Sequence, residues 1–159
     1  MSALAELDLK TSIGDTTCDV FETMLSMGVT VETLDSCDGI DGQRVVGSVG
    51  FAGNVTGSVR IHLSERFARM VTAAMLGMDM EEIDEDEIAD VVGEVSNMIG
   101  GDLKSKLCDC GLPCELSIPT TTQGSHFSIQ TRGWTRLERF GFRHDDHLAI
   151  VEVTMKTGD

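Results

Sequence analysis

The sequence predicts an α+β domain in which long helices pack on a largely antiparallel sheet. Three observations carry this. Apolar residues recur at helical spacing in three stretches, two alternating runs flank Gly53-Asn54, and Val151, Val153 and Met155 alternate strictly near the end. With 159 residues, 41% of them hydrophobic, the chain suits a single domain over residues 1–159 with a real core.

Each element has a local reason. Residues 4–27 predict a first helix, with Val20, Phe21, Met24 and Leu25 on its apolar side. Residues 28–43, rich in Asp, Gly and Thr, read as a short strand and a loop. Val45, Val49 and Phe51 alternate with small residues, as do Val59, Ile61 and Leu63 beyond the Gly53-Asn54 turn, which predicts a hairpin. Ser64 is placed to cap a helix carrying Phe67, Met70, Val71 and Met75, and Gly77 to end it. In the acidic run "MEEIDEDEIAD", Asp84 and Glu87 have capping-box spacing, so the run reads as the start of a long helix reaching about Leu107. Strands are expected over residues 114–119, 125–131 and 148–156. "CDVFETML" in the first helix can be laid against "GEVSNMIG" in the long one, which suggests a degenerate internal duplication.

Composition narrows the function. A net charge of -15 argues against nucleic acid, because counterion release needs cations facing phosphates, and it suits a partner with an exposed lysine or arginine. No apolar run is long enough to span a membrane, and "MSALAELDLK" lacks the features of a signal peptide, so a cytoplasmic protein is expected. Five cysteines fit a reducing compartment. Cys108, Cys110 and Cys114 have metal-like spacing, but no second pair or nearby histidine completes a ligand set, and they read as ordinary thiols. "HDDH", His144 to His147, with those cysteines offers a rival metal-dependent reading, against surface histidines. His62 and His126 suggest no chemistry.

"DVVGEVSNMIGG", residues 90–101, raises the functional question. At about 100° per residue, Ile88, Val92, Val95, Ile99 and Leu103 gather on one side and face a core. Asp90, Glu94 and Asn97 form one ridge opposite them, continued by Gly101. Glu94 and Asn97 are therefore expected to be largely solvent-accessible. Gly93, Gly100 and Gly101 serve either a low-profile ridge or close packing on the sheet side. An outward Asn can hold and orient a water molecule, and an outward Glu can pair with a lysine of another protein. Spacing alone also permits a simply solvated helix face.

Asp90, Glu94, Asn97 and Pro119 stand as D-x3-E-x2-N-x21-P, which resembles the signature of the CheC/CheX/FliY family of chemotaxis phosphatases. "GEVSNMIGGDLKSKL" and "LSIPTTTQG" resemble the CheX branch, and the likeness is strongest over residues 88–124. The resemblance implies a CheC-like fold. It implies removal of the phosphoryl group from the aspartate of a phosphorylated response regulator such as CheY, ending the chemotaxis signal. Glu94 would pair with the regulator's active-site lysine and Asn97 would orient the attacking water. Asp90 and Pro119 would support the motif. No cofactor of its own is implied, since Mg2+ would sit in the regulator. Some members carry two sites. Here Asp19 and Glu22 stand where a second Glu and Asn would be needed, so one site is expected. The branch also implies a possible homodimer through sheet edges, with "GWTRLERFGF" either an interface arm or an ordinary part of the core. The alternative reading is a non-catalytic module of the same fold that binds a response regulator or flagellar switch partner.

Overall fold

The computed structural model describes residues 7–40, 42–125, 127–130 and 132–157. Its order is α1 (Leu9–Met24), β1 (Thr30–Leu34), β2 (Gln43–Gly53), β3 (Val55–Ser64), α2 (Glu65–Leu76), a 3-10 turn (Met80–Glu82), α3 (Glu85–Asp109), β4 (Cys114–Leu116), β5 (Thr120–Ser125), β6 (Arg136–His144) and β7 (His147–Thr157). The seven strands form one antiparallel sheet in the order β1-β6-β7-β3-β2-β4, with β5 also on β2. This is the α+β class that the sequence predicts.

The helix ends follow the local chemistry. Asp8 caps α1 by accepting from the Thr11 N–H, so the helix starts later than residue 4. Ser64 accepts from the Phe67 N–H, and Gly77 closes α2 in the left-handed conformation. Asp84 and Glu87 form both halves of the capping box of α3.

Two strands differ from expectation. The segment expected as a strand over residues 125–131 pairs earlier, as β5, and residues 127–130 lie outside any strand; His126 and Thr131 fall outside the described residues. Backbone hydrogen bonds to the outer edge of β2 recruit Thr120–Ser125, although its side chains are polar and carry no alternation. "GWTRLERFGF" is no arm: Arg136–His144 is an interior strand between β1 and β7. Its alternation was masked by arginines. Phe140 and Phe142 point into the core while Arg139 and Arg143 take the other face.

All three helices lie on one face of the sheet. Val45, Val49, Val59, Ile61, Leu63, Val151 and Val153 meet Phe21, Phe67, Ile88, Val92 and Ile99 there, each essentially without exposure. The helix α3 lies close on β2. A methyl placed at Gly47 would stand 2.7 Å from the Val92 carbonyl oxygen, and one at Gly100 would run into Val49. Of the glycines of α3, Gly100 therefore serves close packing, whereas a methyl at Gly93 or Gly101 would meet only ordinary contacts. Gly47→Ala is expected to push α3 off the sheet and cost about 1–3 kcal/mol or more, as overpacked cores do, since the atom in the way belongs to the backbone. Urea unfolding measures this, and an unchanged midpoint would contradict the close approach.

Candidate functional site

The ridge lies on one continuous helix, as expected. Asp90 and Glu94 are exposed on α3, and Val91, Val92, Val95 and Ile99 beneath them are buried. Asn97 departs from expectation, being half-buried. It stands toward the flank bearing Gly93 and Gly100, where α3 meets the sheet edge. A methyl at Gly93 would lie 3.4 Å from the Thr121 hydroxyl oxygen and 3.8 Å from Pro119 Cβ. The segment around Pro119 is thus brought beside the ridge, although 21 residues separate it from Asn97.

This segment is shaped by a bulge. Leu116 pairs with Phe51 and Thr120 with Ser48, so β2 spans the interval with one residue fewer. Ser117 stays on the ladder, its N–H donating to Gly50 O and its hydroxyl accepting from the Gly50 N–H, each at 2.8 Å. Pro119 donates nothing, which an outer edge tolerates. Ile118 is turned outward and is 85% exposed. Beyond the bulge, Thr121 donates its hydroxyl to Ala89 O at 2.9 Å and Gln123 donates to Glu85 O at 3.4 Å. These bonds hold β5 along the flank of α3. Among the described residues, the side chains of Asp90, Glu94 and Asn97 have no hydrogen-bond or ion-pair partner. The arrangement presents an uncommitted carboxylate and an uncommitted amide, three positions apart, on a rigid helix. That geometry can engage a cation and a water on an approaching surface.

The other candidate motifs do not converge. His144 and His147 face each other across the β6–β7 turn. The His144 ring nitrogen Nδ1 lies 2.9 Å from Gly28 O, while His147 stacks on Phe67 with centroids 5.1 Å apart. Cys108 and Cys110 are exposed at the end of α3, and Cys114 is buried in β4, where burial raises its pKa.

The fold instead assembles a cluster that the sequence reading missed. Cys37, His62 and Glu152 meet on the face of the sheet opposite the helices, with ligand-type atoms within 4.8 Å of one another. Cys37 lies 25 and 115 positions from its partners, so spacing carries no signal. The visible hint is a glutamate between two valines in the last strand. Arg44 donates to His62 Nδ1 at 3.3 Å, which leaves the proton on Nε2, 3.8 Å from Cys37 Sγ and 3.9 Å from Glu152 Oε1. Arg139 and Arg60 reach Glu152 at 2.7 and 3.4 Å. Three guanidiniums and a protonated Nε2 suit a buried carboxylate, not an added cation. Burial and the Glu152 carboxylate push the Cys37 thiol up to about 11. Burial opposes ionisation of Glu152, but hydrogen bonds from His62 and Arg139 outweigh it and bring its pKa down to about 2.

Comparison with known proteins places these features in a wider set. A family model described as chemotaxis phosphatase CheX matches residues 45–141. The chain is 31% identical over 86 residues to the CheY-P phosphatase CheX of Thermotoga maritima, a match covering 54% of this chain and 55% of that protein. It thus spans about half the length of that relative. The crystal structure of chemotaxis protein CheX from Vibrio vulnificus superposes with a TM-score of 0.80 at 22% identity, covering 94% of this chain and 97% of the other. That of a CheX-CheY-BeF3-Mg2+ complex from Borrelia burgdorferi gives a TM-score of 0.79 at 21% identity, covering 94% and 98%. These two likenesses establish the fold.

The Glu152 network yields a pH-dependent expectation. Its pKa in the fold lies below the ordinary 4.5, so its stabilisation is complete above that value and is lost as pH falls toward about 2. Glu152→Gln should cost about 3 kcal/mol or more near neutral pH, as breaking a buried pair does. Its deficit relative to wild type should shrink between about pH 5 and pH 2. Denaturant titrations across that range check the sign, and a deficit that grows in acid would refute it.

Proposed function

Since the chain belongs to the chemotaxis phosphatase CheX family, we propose that it hydrolyses the aspartyl phosphate of a CheY-like response regulator. The observation that carries this is the pairing of exposed Glu94 with half-buried Asn97 on one helix, both without internal partners, beside the Pro119 bulge. The proposal is supported by the named activity of the Thermotoga maritima relative and by the CheY complex of the Borrelia burgdorferi one.

The chemistry asks little covalent work of the protein. Phosphoryl transfer to water needs an in-line nucleophile and compensation of charge on the transferring group. The Asn97 side chain carries both a donor and an acceptor, so it can hold a water by one end while its other end meets the phosphoryl oxygens. Partial burial restricts its rotamers, and a restricted amide orients water better than a freely rotating one. Glu94, one turn earlier, would pair with a regulator lysine and set the docking register. Asp90 and Pro119 would support the helix and the bulge. The Mg2+ in this scheme belongs to the regulator. A protein acting on a response regulator would work in the cytoplasm, and that location is part of the proposal. The possible homodimer would use the outer edge of β1, whose Val31 is exposed, and sedimentation velocity tests it.

Asn97→Ala should slow dephosphorylation by roughly 100-fold to 1000-fold, about 3–4 kcal/mol of barrier, as the loss of a transition-state donor does. Binding of the phosphorylated regulator should change far less. Asn97→Asp keeps the size but replaces amide donors by a negative charge facing an anionic group, and should be nearly inactive. Glu94→Ala should weaken association as well as turnover. Single-turnover phosphate loss from a phosphorylated CheY-like regulator, at saturating protein, reads these effects. Wild-type rates for Asn97→Asp would sink the mechanism, and unchanged binding with no hydrolysis by wild type would favour the non-catalytic module.

Glu22→Ala provides the complementary check. Glu22 is exposed on α1 and stands where a second site would need its amide. Turnover should stay near the wild-type rate, and a loss comparable to that of Asn97→Ala would show a second working helix.

A further inference from the structure

The helix-free face of the sheet holds a basic cavity that the ridge does not use and that meets the Cys37 cluster only through Arg60. Where Thr56 of β3 pairs with Lys156 of β7, residues Arg132, Gly133 and Trp134 lie against the sheet. Thr135 fastens this segment, its N–H and its hydroxyl both donating to Met155 O, at 2.8 and 3.2 Å. The resulting cavity of about 220 Å3 is lined chiefly by Arg60, Arg132, Lys156, Ser58, Thr154 and Trp134. The Ser58 and Thr154 hydroxyl oxygens are 2.9 Å apart on adjacent strands. Lys156 Nζ reaches within 4.0 Å of where a methyl on Gly133 would stand, so the ammonium lies along the loop.

Charge makes this cavity unlike the rest of the molecule. The chain has 12 Lys and Arg against 27 Asp and Glu. Three of those cations line one small cavity, Arg60 being already paired with Glu152, and among the described residues no carboxylate lines it with them. Arg60 does reach Glu152, but that buried carboxylate is also held by Arg139 and cannot neutralise Lys156 and Arg132 as well. Gathered cations repel one another unless an anion sits among them. A guanidinium, an ammonium and paired hydroxyls are the donors that phosphate oxygens take. The indole of Trp134 adds an aromatic face suited to a flat ring.

We propose that this cavity is a binding site for a small phosphate-bearing anion, free or as an ester. It lies on the opposite face of the sheet from α3, so its ligand would not compete with a protein docked on the ridge.

Trp134 is the only tryptophan and the chain has no tyrosine. Its emission therefore reports this cavity alone. The full-length chain should be titrated with inorganic phosphate, with AMP and with adenosine. Phosphate and AMP should each give a saturable change that weakens as salt is raised, and adenosine should bind far more weakly than AMP. Tighter binding of AMP assigns the site to an ester and tighter binding of phosphate to the free anion; both support the proposal. Arg132→Gln and Lys156→Gln should each weaken binding by about tenfold or more. Both residues are exposed, so the variants should melt like wild type. No saturable change at millimolar phosphate or AMP would overturn the proposal. So would adenosine binding as well as AMP, or undiminished binding by the double variant.

Discussion

The close approach of α3 to β2 is the constraint on which the rest depends. The helix can lie so low because Gly47 leaves room for the Val92 carbonyl and Gly100 leaves room for Val49. Each glycine inside a helix costs about 1 kcal/mol relative to alanine. That cost is offset because the low position buries Val92, Val95, Ile99 and Leu103 against the sheet. It also brings the helix flank within reach of β5. Thr121 and Gln123 could not bond the carbonyls of Ala89 and Glu85 if α3 stood higher. The placement of the ridge beside the Pro119 bulge is therefore a consequence of core packing.

The two faces of the sheet solve different problems. On the helix side, alternate residues of β2, β3, β6 and β7 are apolar and need only shape complementarity. On the other side the loop after β1 folds over the strands, with Ile40 packing on Leu148 and Ile150. Arg44 ties that loop down by donating to the carbonyls of Cys37 and Ile40 at 2.8 and 3.1 Å. Glu152 then joins β3, β6 and β7 through Arg60, His62 and Arg139. A network of this kind is worth little compared with a hydrophobic substitute, yet it is costly to break at one member. It specifies which strands and which loop meet on a face that has no helix to cover it.

Much of this was legible in the sequence where one residue type has one physical use. Ser64, Gly77, Asp84 and Glu87 mark helix ends because few side chains satisfy free N–H groups or accept a left-handed backbone. The apolar stripe of α3 marks its buried side, and the D-x3-E-x2-N-x21-P spacing marks the candidate site. What stayed hidden rests on long-range pairing. Threonine-rich β5 becomes a strand only because the edge of β2 is open to it. In β6 the apolar alternation is confined to Phe140 and Phe142, and the preceding Arg136–Arg139 carries no clear period. The Cys37 cluster is assembled by register between distant strands, which no local pattern records. The wheel put Asn97 on the outward ridge, yet it is half-buried, and a wheel does not contain the β4–β5 segment that lies along that flank of the helix.

The internal duplication read from the two helices reappears in the sheet. Exchanging β1 with β5, β2 with β6, and β3 with β7 turns the order β1-β6-β7-β3-β2-β5 into its own reverse, with every pairing antiparallel. The short β4 stands outside this correspondence. Along the helices, Val20 and Phe21 are buried like Val95 and Ser96, and Asp19 and Glu22 turn outward as Glu94 does. The halves therefore share a frame and differ in what the frame presents. After α1 the chain enters β1 within a few residues. After α3 it first makes β4 and the Pro119 bulge, and this extra segment lies along the Gly93 and Gly101 flank of the helix. An exposed carboxylate at Glu22 has neither the amide nor the flanking wall. The symmetry of the fold gives two helices the same orientation, but only one of them carries the amide beside the inserted strand and bulge, and this supports the proposal of one site per chain.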